Sequence, residues 1–284
     1  MPLFEDLQAL MIKHHFRPEK RLSQFFCINE ALLLFLVNRA SLKKGDVVLE
    51  IGPGTGFLTK KLLEKCASTG AKVVAIEPDD LMLEVLESEF ASEIKSGLLS
   101  LQKGSALDFD YSKLGVTKIV SLPPYHISSD LLTKIGLTPK IEKCILVLDR
   151  GFVQKLTAFE GFTEYVALTV LLNLNARVEV LEDIIEQQSF FPQPNCLSSV
   201  VELDFNTKNN SEEFFAFLKE IFRYKNKDLQ RALKKSFPFL SKKLGWKQKP
   251  FDEMLAKLKL AQKKVYLLSP KEFLEVFELL NSKK

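Results

Sequence analysis

The chain has 284 residues, of which 46% are hydrophobic and 27% charged, with a net charge of +4. That length accommodates a large domain and a small one around a substantial core, and the composition excludes a disordered or fibrous chain. No apolar run reaches the ~18 residues of a membrane helix. The N-terminal "MPLFEDLQALMIKHHFRPEKR" lacks the charged, then apolar, then small layout of a signal peptide, so no membrane partner and a cytoplasmic location are expected. Cys27, Cys66, Cys144 and Cys196 are widely spaced with no C-x-x-C pair; reduced structural thiols are expected, and neither a metal site nor a disulfide framework.

Short β-branched runs alternate with helical patterns. "DVVLEIG" (Asp46 to Gly52) reads as a buried strand and "GFLTKKLLEKCA" as the helix after it. "AKVVAIEP" (Ala71 to Pro78) is a second strand, followed by the helical "DDLMLEVLESEFA". "LLSLQKG" (Leu98 to Gly104), "KIVSLPP" (Lys118 to Pro124) and "KCILVLD" (Lys143 to Asp149) continue the series, with the helical "SSDLLTKIGL" between the last two. This alternation predicts an α/β fold, a Rossmann-like and mostly parallel sheet. "ARVEVLE" (Ala176 to Glu182) and "SSVVELDF" (Ser198 to Phe205) lie close together with no long helix between them, which predicts an antiparallel hairpin at one end of that sheet.

Near Asn206 the pattern changes. "NTKNNSEEFF" reads as a polar linker with Ser211 as a helix N-cap, and "EEFFAFLKEIF", "DLQRALKKSF", "PFDEMLAKLKLA" and "SPKEFLEVFELLN" read as helices. The expected division is 1–205 for the sheet domain and 206–284 for a small helical domain.

"LEIGPGTGFLT" follows the first strand and opens the first helix. Gly52, Gly54 and Gly56 permit a tight turn and close approach of backbone to a ligand, at a helix end with unpaired N–H groups. The spacing is not the G-x-G-x-x-G of dinucleotide folds and no phosphate-loop Lys follows. Glu77, at the carboxyl end of the second strand, is placed to accept hydrogen bonds from both hydroxyls of a ribose; Asp79 and Asp80 already supply the acid that a helix N-terminus favours. A nicotinamide dinucleotide and S-adenosylmethionine are both nucleoside cofactors for such a turn. Its spacing and the Pro-rich loop after the fourth strand favour S-adenosylmethionine.

From about Arg17 to Leu233 the chain resembles the rRNA adenine N6-dimethyltransferase family. "KRLSQFFCINE" is similar to the family's Gly-Gln-(Asn/His)-Phe-Leu segment, "LEIGPGTGFLT" to its cofactor motif, "IEPD" to its ribose-binding acid and "KGSALDFD" to its Gly-Asp-Ala loop. "IVSLPPYHISSDLL" resembles its Asn-Leu-Pro-Tyr-Asn-Ile-Ser loop, and "SFFPQPNCLSSVVEL" its Phe-x-Pro-x-Pro-x-Val-x-Ser-x-Val signature. "FRYKNKDLQRAL" resembles the basic start of its helical domain. The resemblance implies methylation of adenosine N6 in small-subunit rRNA, on the immature small ribosomal subunit, by a monomer using S-adenosylmethionine. By position, Gln24, Phe25 and Cys27 would line the cofactor side, Gly52 and Gly54 would pass close to it, Glu77 would hold its ribose, and Ser105 would sit near its adenine amino group.

The implied catalytic loop is Leu122, Pro123, Pro124 and Tyr125. Adenine N6 is a poor nucleophile, and hydrogen-bond acceptors around its amino group favour the positive charge that develops as it attacks the methyl. In the family these are a polar side chain at the first loop position and a neighbouring backbone carbonyl; the aromatic ring stacks on the extruded base, worth ~1–3 kcal/mol, and proline stiffens the turn. Here Leu122 stands at the Asn position, Ser105 at an Asp, Phe25 at a polar residue and Ser23 at a Gly. Ser121 or His126 would supply the missing acceptor if the loop is re-registered; the competing reading of "SLPPYHIS" is a plain strand-to-helix turn with Ser128 capping the next helix. The alternative reading is a family member that binds rRNA as an assembly or other nucleic-acid-binding factor with little catalysis; adenine methylation of DNA or another RNA is a third.

Basic residues cluster from Arg223 to Lys249, with Tyr224 and Trp246 interleaved, and again at Lys13, His14, His15, Arg17, Lys20 and Arg21. Such stripes neutralise phosphates and, with the resemblance, imply RNA.

Overall fold

The computed structural model describes residues 2–19, 23–206 and 211–281. Lys20, Arg21 and most of the expected linker, residues 207–210, lie outside the described residues. The chain forms two compact units, Met1–Val153 with Val178–Phe205, and Gln154–Arg177 with Asn206–Lys284.

The first unit is built on a seven-stranded sheet. Two short strands, β1 (Phe26–Cys27) and β8 (Phe190–Phe191), pair antiparallel apart from it. The main strands are β2 (Val47–Ile51), β3 (Lys72–Glu77), β4 (Leu99–Lys103), β5 (Lys118–Ser121), β6 (Lys143–Asp149), β7 (Ala176–Ile185) and β9 (Ser198–Phe205), in the spatial order β4-β3-β2-β5-β6-β9-β7. Pairs from β4 through β6 are parallel, and β9 runs antiparallel to β6, Ser198 opposite Asp149. Val, Ile and Leu fill β2, β3, β5 and β6 because helices cover a parallel sheet on both faces, and Val48, Val73, Val120 and Ile145 belong to one buried cluster. The order reverses between β2 and β5, where an open α/β sheet places its ligand crevice.

The sequence pattern carries the fourth strand through Pro124, but β5 stops at Ser121; proline has no N–H for a ladder. Helix Phe57–Thr69 opens at Gly56, in the left-handed region at φ 82°. Helix Asp80–Glu89 is capped by Asp79, whose carboxylate accepts from the Leu81 and Met82 N–H groups. Helix Ser128–Leu137 has Ile127 at its N-cap, and the buried Ser128 hydroxyl has no partner among the described residues, so Ser128 is not the cap.

In the second unit, helices Glu212–Phe222, Leu229–Leu244, Gln248–Lys257 and Pro270–Asn281 follow the expected pattern. The Ser211 hydroxyl accepts the Phe214 N–H at 3.1 Å, as an N-cap should. The division read from the sequence differs in one respect: Gln154–Arg177 belongs to this unit. Its helix Ala167–Asn175, "ALTVLLNLN", is buried on nearly all sides, as a helix apolar all round must be. Phenylalanines build the core here; Phe214 and Phe217 are fully buried, with ring centroids 5.2 and 5.4 Å from Phe277.

Candidate active site

The site lies in the sheet unit, at the carboxyl ends of β2, β3 and β5. After β2 the chain turns through Gly52, Gly54 and Gly56, all at positive φ. A Cβ on Gly54 would come within 2.9 Å of the Phe26 ring, so only glycine fits between the turn and β1. Glu77, the last residue of β3, is 5% exposed. Its carboxylate accepts the Gly54 N–H at 3.1 Å and the Asp79 N–H at 3.0 Å. Burial pushes its acid constant up to about 6 despite those two bonds. Gln24 donates to Asp79 at 2.9 Å and accepts the Glu19 N–H, which ties the segment before β1 to the end of β3.

A second buried carboxylate is absent from the sequence expectations. Glu50 sits in β2, accepts the Thr59 hydroxyl at 2.7 Å, and is pushed up to about 8 by burial and by the neighbouring Glu77. The available signal is a lone acid inside the apolar run "VVLEI". Cys27 is buried and its thiol is pushed up to about 12, so it stays neutral and presents an apolar surface.

The loop after β5 supplies the opposite wall. Ser121 is fully buried; its hydroxyl donates to the Ile51 carbonyl at 2.7 Å and lies 3.2 Å from the Ile51 N–H. It is spent in joining β5 to β2, which removes it as the substitute acceptor. Leu122 packs against the core while its outer side meets the cavity. The Tyr125 hydroxyl reaches Ser198 on β9 at 2.5 Å, and burial pushes the phenol up to about 12. His126 Nδ1 lies 3.3 Å from the Ser23 hydroxyl. The Ser105 hydroxyl accepts the Leu107 N–H at 3.2 Å within its own turn.

These walls enclose a cavity of about 530 Å³, lined by every residue that the sequence assigns to the cofactor and to the loop. The volume falls in the range of small-molecule sites, roughly 300–1,000 Å³. Ser23, Glu50, Asp79 and His126 also line it. Among the described residues no group of three or more His, Cys, Asp or Glu side chains is placed to hold a metal ion.

The sequence pattern of the family described as ribosomal RNA adenine dimethylase matches residues 15–280. The chain belongs to this family. It is 33% identical to a probable ribosomal RNA small subunit methyltransferase A of Thermococcus gammatolerans, over 96% of this chain and 92% of that one. It is also 33% identical to the ribosomal RNA small subunit methyltransferase A of Deinococcus radiodurans, over 82% of this chain and 78% of that one. Among solved structures, a dimethyladenosine transferase from Plasmodium falciparum superposes with a TM-score of 0.73 at 26% identity, covering 88% of this chain and 95% of that one.

The chain is an S-adenosylmethionine-dependent methyltransferase of ribosomal RNA adenines. The cavity fits such a cofactor: the backbone of the glycine turn at Gly52 and Gly54 lines it, with a buried carboxylate at the end of the adjacent strand and apolar side chains such as Ile76 and Met82.

In the helical unit, described by itself, Arg223, Lys227, Arg231, Lys234, Lys235, Lys242, Lys243, Lys247 and Lys249 are exposed. Lys235 lies over the Tyr224 ring at 5.9 Å. Trp246 is not part of this surface: it is 6% exposed and its indole N–H donates to Asn281 at 2.8 Å. In the sheet unit, Lys13 and His14 both meet Glu89, at 2.7 and 2.9 Å, which neutralises part of the N-terminal basic group. No helix among the described residues is long and apolar enough to cross a membrane.

Proposed function

We propose that this protein methylates N6 of adenosines in small-subunit rRNA, acting as a monomer in the cytoplasm on an immature small ribosomal subunit. The observation that carries the reading is the meeting, in one cavity, of the Gly52–Gly56 turn, the Glu77 carboxylate and the Pro123-Pro124-Tyr125 loop. The relatives named above, described as small-subunit rRNA methyltransferases, support the choice of subunit.

Each side chain has a part. Glu77, ionised, accepts the two ribose hydroxyls with the lone pairs that Gly54 and Asp79 leave free. Gly52 and Gly54 let the backbone lie against the cofactor. Gln24, Phe25 and Cys27 form the wall beside it, and Ser105 closes the adenine end with a hydroxyl whose hydrogen remains to be donated. S-adenosylmethionine supplies an electrophilic methyl group on sulfonium. Tyr125 presents its ring to the extruded base, and the two prolines hold the loop carbonyls toward the N6 hydrogens. Exposed lysines of the helical unit neutralise rRNA phosphates.

The test is incubation with labelled S-adenosylmethionine and three substrates: immature small subunits, mature small subunits and large subunits. Label confined to the immature small subunit is expected; equal labelling of large subunits contradicts the reading.

A further inference from the structure

We infer that His126, oriented by Ser23, is the side-chain hydrogen-bond acceptor for the target amino group in this chain. The inference rests on the methyltransferase reading of the cavity and assigns the acceptor that Leu122 cannot provide.

Several other polar side chains at or beside the cavity already hold hydrogen bonds. Ser121 is locked between the N–H and carbonyl of Ile51. The Tyr125 hydroxyl is held by Ser198. The Ser105 oxygen takes the Leu107 N–H. The Gln24 amide is shared between Asp79 and the Glu19 N–H. Glu77 already takes two N–H groups at the far wall. His126 directly follows Tyr125, lines the cavity and is itself exposed to solvent. Its Nδ1 meets the Ser23 hydroxyl at 3.3 Å, and its Nε2 has no partner among the described residues.

Ser23 gives this contact a second, independent mark. It sits at φ 56°, the left-handed region that disfavours any residue with a Cβ, and it stands where the family pattern has Gly. His126 stands where that pattern has Asn. Two departures 103 residues apart thus touch across the cavity rim, beside a third, Leu122. If the Ser23 oxygen accepts Nδ1–H, the tautomer is fixed and Nε2 carries a bare lone pair, an acceptor for one N6 hydrogen. As positive charge develops on N6, that bond strengthens in the transition state.

The test combines kinetics with spectroscopy on the full chain. For the wild type, His126→Ala, His126→Gln, Ser23→Ala and the double variant His126→Ala with Leu122→Asn, kcat and KM are measured on immature small subunits, and S-adenosylmethionine affinity by calorimetry. His126→Ala should lower kcat ~10²-fold, the loss typical of one preorganised donor or acceptor, with KM and cofactor affinity nearly unchanged. His126→Gln, which keeps an acceptor, should lose far less, Ser23→Ala should fall between, and Leu122→Asn should restore much of the His126→Ala loss. Nitrogen NMR of labelled histidine should show His126 with a protonated Nδ1 and bare Nε2, and a mixed population in Ser23→Ala. An active wild type with His126→Ala at full kcat, or a His126 protonated on Nε2 alone, overturns this inference and leaves the methyltransferase reading standing. A wild type that transfers no methyl overturns both.

Discussion

The Tyr125 hydroxyl lies 2.5 Å from the Ser198 hydroxyl, although the two residues are 73 apart in the chain. Tyr125 ends the loop after β5, and Ser198 opens β9, the antiparallel strand against β6. The bond holds the Tyr125 ring, which lines the cavity, through a serine that does not line it. Ser198→Ala and Tyr125→Phe each remove it. With a net worth of ~1 kcal/mol for such a bond, each should lower kcat about 5-fold while leaving cofactor affinity unchanged. The double variant should be no worse than either single one, because both delete the same interaction. Additive losses in single-turnover rates would show that Ser198 acts otherwise.

Glu77 should make cofactor binding pH-dependent. Its acid constant is raised to about 6 by burial, and only the ionised carboxylate accepts two ribose hydroxyls without a proton in the way. Affinity for S-adenosylmethionine should therefore rise between about pH 5 and pH 7, either side of that constant. Glu77→Gln should weaken binding by roughly 10- to 100-fold, the loss of hydrogen bonds to a charged group at ~1.5–3 kcal/mol, and should flatten that pH profile. Calorimetric titration across the range measures both effects.

Glu50 should make the fold less stable as pH rises from 4.5 toward about 8. Its folded-state constant is raised from 4.5 to about 8, so the folded chain holds a proton that the unfolded chain has released. Stability from this group is full below 4.5 and is lost as pH rises through about 8. Denaturant midpoints of the wild type should fall between about pH 4.5 and pH 8, the interval between the unfolded and folded constants, and level off above it. Glu50→Gln, which keeps an acceptor for the Thr59 hydroxyl and cannot ionise, should show a smaller fall.

The helical unit should contribute salt-dependent RNA affinity. Lys234, Lys235, Lys242 and Lys243 are exposed on one helix, Leu229–Leu244. Replacing all four with Ala should weaken rRNA binding and reduce the slope of log K against log salt by about 0.9 for each phosphate left without its lysine. Single-turnover transfer at saturating RNA should change little.

Strand and helix alternation made the parallel sheet legible, because β2, β3 and β6 are largely buried and so rich in Val, Ile and Leu. The cavity's residues were legible for a different reason: glycines at a strand end and a Pro-Pro-Tyr loop mark backbone geometry that few residues allow. What escaped the sequence were pairings at long range. Strands of two residues, Phe26–Cys27 against Phe190–Phe191, leave no periodic trace. The commitment of Ser121 to Ile51 is invisible until β5 is set beside β2. Trp246 looks like an RNA-stacking ring among lysines, yet it closes the aromatic core through Phe217 and Phe251. Helix Ala167–Asn175 is apolar in sequence without saying which unit it joins.

The central claim is methyl transfer to adenosine N6 in small-subunit rRNA. The most direct measurement is nucleoside analysis by mass spectrometry after immature small subunits are incubated with the protein and isotopically labelled S-adenosylmethionine. The account predicts labelled N6-methylated adenosine, reduced by Glu77→Gln and by Ser198→Ala. Absence of label from adenosine, with the cofactor and the subunit both bound, would contradict it.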